Sequence, residues 1–108
     1  MSIRSVLTEV LRVTERREYA IKVDVLEQGL WTKHYRSLSA RFSGYANEPQ
    51  NPTMQRQDRL IAEHFSDMAD TKEKIVSTNR QRLAEIADRK TRLFALLDRA
   101  ASLEEAEA

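Results

Sequence analysis

The side chains of this 108-residue chain that could do chemistry are few and scattered. His34 and His64 stand far apart, with no second histidine at metal-ligand spacing, so each reads as a solvated surface residue. There is no cysteine, which excludes disulfides and thiolate zinc sites and fits a reducing compartment. Gly29 and Gly44 are isolated, so no phosphate-cradling loop is present. Asn51-Pro52-Thr53 is not a glycosylation acceptor, because its middle residue is proline. Carboxylates are abundant, but they mostly stand near basic partners, four of them with one four places on: Glu18 with Lys22, Asp70 with Lys74, Glu85 with Arg89, Asp88 with Arg92. That spacing makes surface ion pairs rather than acid–base dyads. Neither catalysis, a cofactor nor a metal is expected.

Two groups suggest binding instead. Arg82, Arg89, Arg92 and Arg99 line one stripe of the last helical stretch, as a solvated face or as a strip for an acidic partner. Trp31 and Tyr35 stand one helical turn apart, and a Trp outside the core is a natural anchor for a partner. Nucleic acid is not expected. The formal net charge is only +1, acids dilute the arginines, and no aromatic residues interleave with them.

These residues must be carried on long helices. From Asn51 to about Ser102 there is no glycine and, after Pro52, no proline. Ile61, Phe65, Met68, Ile75, Leu83, Ile86, Leu93, Leu97 and Ala100 recur at helical spacing. Lys72, Asn79 and Lys90 interrupt the stripe, and the step from Asn79 to Leu83 reads as a stutter. Leu60, Ala69, Val76, Ala87, Phe94 and Ala101 widen it beyond a two-stranded seam, a shape suited to more than one neighbouring helix.

The first half begins with Ser2 as a cap. Ile3, Val6, Leu7, Val10, Leu11 and Val13 follow at helical spacing, then Tyr19, Val23, Leu26 and Leu30. The stripe shifts at Trp31, just after Gly29, where a kink or a close approach is expected. This helix should end near Ser43, with Gly44 in the left-handed conformation. Pro49 and Pro52 mark the only loop, and Asn51 should cap the second helix with Pro52 at its first position.

A short loop makes the two helices antiparallel neighbours. Folding about residue 47 sets residue 92 level with residue 2. Residues 93–108, with the acidic Glu104, Glu105 and Glu107, then overhang or turn back as a third helix. The expected fold is all-α: an elongated antiparallel helical bundle of two long helices and a short third, one domain over 1–108. No apolar run is long enough for a signal peptide or a membrane span, so a cytoplasmic protein is expected.

Two segments resemble the tubulin-binding cofactor A family of small helical chaperones. One is Arg12-Val13-Thr14-Glu15-Arg16-Arg17-Glu18-Tyr19, where Glu15, Arg16 and Tyr19 fit the pattern of the family's first helix. The other is Met54-Gln55-Arg56-Gln57-Asp58-Arg59-Leu60-Ile61-Ala62-Glu63, where Arg56, Gln57, Leu60, Ile61 and Glu63 fit the start of its second. Ala69 stands near where the family often has a proline, and the loop is longer here. The resemblance implies a non-enzymatic, cytoskeleton-associated chaperone that captures β-tubulin, as a monomer or weak homodimer. It implies Arg16, Tyr19, Arg56, Gln57 and Glu63 as the partner-binding residues. The alternative is a structural coiled-coil adaptor or secretion-type chaperone that dimerises through its apolar stripe.

Overall fold

The computed structural model describes residues 2–107, with side chains described over 2–105. The chain is an all-α helical hairpin: α1 spans Ile3–Ala46 and α2 spans Pro52–Glu107. There is no strand among the described residues. The helix starts follow from their caps. Ser2 Oγ accepts the Ser5 backbone N–H at 3.1 Å. Asn51 Oδ1 accepts those of Thr53 and Met54 at 2.8 and 3.1 Å, with Pro52 as the first helical residue.

α1 does not stop at Ser43. It runs through Gly44 to Ala46, and neither glycine has positive φ. Tyr45 and Ala46 sustain the helix because no proline follows before residue 49. α1 also passes through Gly29, where a Cβ would meet nothing within 4 Å, so no close approach requires the glycine.

The chain falls into two compact units, one made of Met1–Val23 with Asn79–Ala108, the other of Asp24–Thr78. In both, the buried residues trace heptads with core positions a and d. On α2 these are Gln55, Asp58, Ala62, Phe65, Ala69, Lys72, Val76, Asn79, Leu83, Ile86, Lys90, Leu93, Leu97 and Ala100. Steps of three and four alternate without a break, so the expected stutter is absent. The stripe is centred on Ala62, Ala69 and Val76, not on Ile61, Met68 and Ile75, which flank it. Lys72, Asn79 and Lys90 fall within the seam rather than interrupting it. On α1 the seam runs from Leu7 and Leu11 through Thr14, Glu18, Ile21, Val25, Gln28, Thr32, Tyr35, Ser39 and Phe42 to Ala46. Five of these are polar, and Thr14 is buried because its hydroxyl donates to the Val10 carbonyl at 2.8 Å.

In the first unit Arg4 meets Glu104 at 3.3 Å, and Lys90 meets Glu18 at 3.2 Å. Residues 93–107 therefore neither overhang nor turn back. They continue α2 alongside the start of α1. The Glu107 side chain lies outside the described ones. The register differs from a fold about residue 47 because the link runs beside α2 rather than turning over its end. Gln50 reaches Asp58 at 3.0 Å and the Tyr45 carbonyl at 2.8 Å, so the link lies along the first turns of α2.

In the second unit, Ser39 Oγ donates to the Ala62 carbonyl at 2.8 Å. Arg36 forks to Asp70 and Glu73 at 2.9 and 2.8 Å. Aromatic rings pack together within the unit: Tyr35 stacks on Phe65 at 6.1 Å, and Phe42 lies tilted 5.9 Å from Phe65. In neither unit is a large side chain wholly enclosed among the described residues. Two helices have only one shared face, and much apolar surface stays outside it.

Candidate functional site

The residues of the first matched segment share one feature. Arg16 and Tyr19 line an open groove on α1 with Thr8, Leu11, Arg12 and Glu15. These residues recur at steps of three and four, so one flank of the helix carries them all. Leu11 supplies the apolar floor from the edge of the seam. Tyr19 is 72% exposed, although the sequence pattern equally allows it in the core. The true core residue is its neighbour Glu18, which sits in the seam between Lys22 at 3.7 Å and Lys90 at 3.2 Å.

The electrostatics of this flank are set locally. Arg12 donates through both Nε and Nη2 to the Glu9 carboxylate, at 3.1 and 2.5 Å. The hydrogen bond from Arg12 holds the Glu9 carboxyl below its ordinary range, with the charges of Arg12 and Arg16 adding to the effect. The same bond raises the Arg12 guanidinium. Arg12 is thus pinned, while Arg16 makes no ion pair among the described residues. Arg12 belongs to the matched segment, but the resemblance gave it no role. Its signal in the sequence is Glu9 three residues before it, on the same face.

Arg56, Gln57 and Glu63 lie in the other unit, all exposed near the start of α2. Glu63 borders a shallow groove with Ser39, Ser43, Arg59, Ala62 and Ser66. Arg56 and Gln57 line none of the grooves described. The five residues are therefore distributed between the two units, two in one and three in the other.

The remaining candidates separate by geometry. Trp31 is 43% exposed and stacks on Tyr35 with ring centres 5.5 Å apart, so it caps the aromatic cluster from outside. His34 and His64 contact only rings in the described contacts, Trp31 and Tyr35 for one and Phe65 for the other. No group of three or more His, Asp or Glu side chains converges to hold a metal among the described residues. Of the four expected surface pairs, Glu18–Lys22 and Asp88–Arg92 form, at 3.7 and 2.6 Å. Asp70 turns to Arg36 on α1 instead of Lys74, and Glu85 and Arg89 do not meet. Arg82, Arg89, Arg92 and Arg99 are all exposed, and only Arg92 has a carboxylate partner among the described residues.

The arrangement can therefore offer hydrogen bonds, cationic groups and apolar area to another molecule. No helix among the described residues is long and apolar enough to cross a membrane. Comparison of the chain with protein-family models, curated proteins and solved structures finds no match.

Proposed function

We propose that this chain works by binding another protein rather than by catalysis, and that the Arg16–Tyr19 flank of α1 is its docking surface. The observation that carries this reading is Tyr19. It is a large aromatic side chain 72% exposed, beside Arg16, in a groove floored by Leu11. Tyrosine and arginine are the residue types most enriched where binding energy concentrates, because they combine area, planarity and hydrogen bonding. An exposed tyrosine on a helix loses little freedom when a partner covers it.

The segment that resembles tubulin-binding cofactor A is the one that lines this groove, so β-tubulin is the partner to test first. A cytoplasmic, cytoskeleton-associated chaperone follows from that reading. The test is capture of β-tubulin by the wild-type chain and by Arg16→Ala/Tyr19→Ala, at low and moderate salt. The reading expects capture by the wild type, a loss of tenfold or more in the double variant, and salt sensitivity through Arg16. A parallel variant, Arg56→Ala/Gln57→Ala/Glu63→Ala, reports separately on the second matched segment. No capture by folded wild type removes β-tubulin as the partner.

A second reading, a structural coiled-coil adaptor, is favoured by the uninterrupted heptads with polar residues at Thr14, Glu18, Gln28, Lys72, Asn79 and Lys90. Polar core positions fix register and partner choice at a cost in stability. The α2 stripe is covered by α1 within each unit, so an adaptor would dimerise through another face.

A further inference from the structure

The apolar residues of the first unit are unevenly placed around its helices. The heptad position just before each a residue is g. In this unit g holds Ile3, Val10 and Arg17 on α1, and Arg82, Arg89, Leu96 and Leu103 on α2, so its apolar members gather at Ile3–Val10 and Leu96–Leu103. Val6 and Val13 lie further round the same flank of α1. Ile3, Leu96 and Leu103 line one open groove, whose floor is Leu7 and Ala100. The six side chains on the flank are between 42% and 75% exposed. The opposite flank of α1 carries Thr8, Glu15 and Lys22 and is polar. Apolar residues at a, d and g together are the pattern of a helix with two neighbours, yet each helix here has one.

We propose that this flank of the first unit is a homodimer interface, in which a second copy of the chain presents the same residues. Three observations select a second copy over another occupant. The first is area: six aliphatic side chains this exposed offer roughly 600 Å² per copy, about 1,200 Å² in a pair, the lower edge of a stable specific interface. The second is charge. The α1 side of the flank has no charged residue from Ile3 to Val13 at these positions, and the groove has one cation, Arg99, and one anion, Glu104. Glu104 is already paired with Arg4, so among the described residues Arg99 is the one open charge of the groove, too little to select a charged partner, and Arg82, Arg89 and Arg92 lie further along α2 outside it. The third is need. A unit with no large wholly enclosed side chain gains a second buried layer, and a copy of the chain has the same surplus to bury. The Arg16–Tyr19 groove lies on the other flank of α1, so the dimer does not depend on the binding reading above and leaves that surface free.

The test is sedimentation equilibrium of the full chain, with its melting temperature followed from about 1 to 100 μM. A dimer mass and a melting temperature that rises with concentration are expected. Leu96→Glu/Leu103→Glu should weaken association by at least ~100-fold, since each charge must leave water to re-form the interface. Leu26→Glu/Leu30→Glu places the same charges on residues 70% and 68% exposed and outside this flank, and should leave the dimer intact. Where the first variant fails to fold, Leu103→Ser replaces it, with a smaller but measurable weakening expected. A wild type that sediments as one chain and melts at the same temperature throughout overturns the proposal. So does a dimer that the Leu96 and Leu103 changes leave unaltered.

Discussion

Ser39 on α1 donates its hydroxyl to the backbone carbonyl of Ala62 on α2, across the seam of the hairpin, at 2.8 Å. A side chain this short reaches a neighbouring helix backbone only where the two approach closely. Ala62 and Ala69 are 4% and 0% exposed, and they permit that approach.

Enlarging this contact should cost more than deleting its hydrogen bond. Ala62→Leu or Ala69→Leu forces the helices apart and should destabilise by about 1–3 kcal/mol, although both changes add apolar area. Ser39→Ala should cost only about 0.5–1.5 kcal/mol, because the Ala62 carbonyl keeps its place in the helix ladder. Denaturant melts of the three variants check the order. A stabilised Ala69→Leu would show that the seam has room.

Gln28 occupies a core position of α1, and its Oε1 is buried without a hydrogen-bond partner among the described residues. Its amide donates to Asp24 at 3.2 Å. Gln28→Leu removes the unsatisfied acceptor and fills the site with apolar atoms. It should stabilise by about 1 kcal/mol, visible as a rise of several degrees in melting temperature. An equal or lower melting temperature would mean that the oxygen is solvated.

Glu18 and Lys90 are a half-buried pair, with side chains 17% and 24% exposed. Lys90→Ala leaves Glu18 in the seam with only Lys22 to offset it, and should cost about 1–3 kcal/mol. The joint change Glu18→Leu/Lys90→Met should recover most of that, because neither charge is then desolvated. The two melts, compared as a cycle with Glu18→Leu, separate the pair from the packing.

Glu9 should titrate below an ordinary glutamate, owing to the Arg12 hydrogen bond. A depressed folded-state value means that the stabilisation is present above the unfolded value and is lost as pH falls through the folded one. Arg12→Ala should move the Glu9 titration back up, and it should soften that acid-side loss. Carboxyl NMR shifts followed against pH read this directly.

The helical class, the single loop and the caps at Ser2 and Asn51 were legible because each rests on local chemistry: period, proline and side-chain capping. The seam was legible only in part. Choosing the larger residues, Ile61, Met68 and Ile75, set it one position away from Ala62, Ala69 and Val76 and created an apparent stutter. Small residues mark close helix contact, but they have weak hydropathy, so the signal was present without being loud. On α1 the polar residues Thr14, Glu18, Gln28, Thr32 and Ser39 hide the seam almost entirely, and the valines of the outer flank mimic one. The register was illegible because it depends on the path of the linking residues, set here by the contacts of Gln50 with Tyr45 and Asp58. At the candidate site, the groove that Arg16 and Tyr19 line was not legible in the sequence. The pinning of Arg12 by Glu9 needed side-chain geometry to appear.

The division into two units has a consequence in time. Asp24–Thr78 is one continuous stretch with the loop inside it, whereas the other unit joins two stretches from opposite ends of the chain. Closing a long loop costs more entropy than closing a short one, so the continuous unit should form first and shorten the loop that remains. Val76→Ala should then slow refolding, while Leu93→Ala should chiefly quicken unfolding. The chain ends would be the last part to close and the first to open, and the lifetime of the native state would be set there.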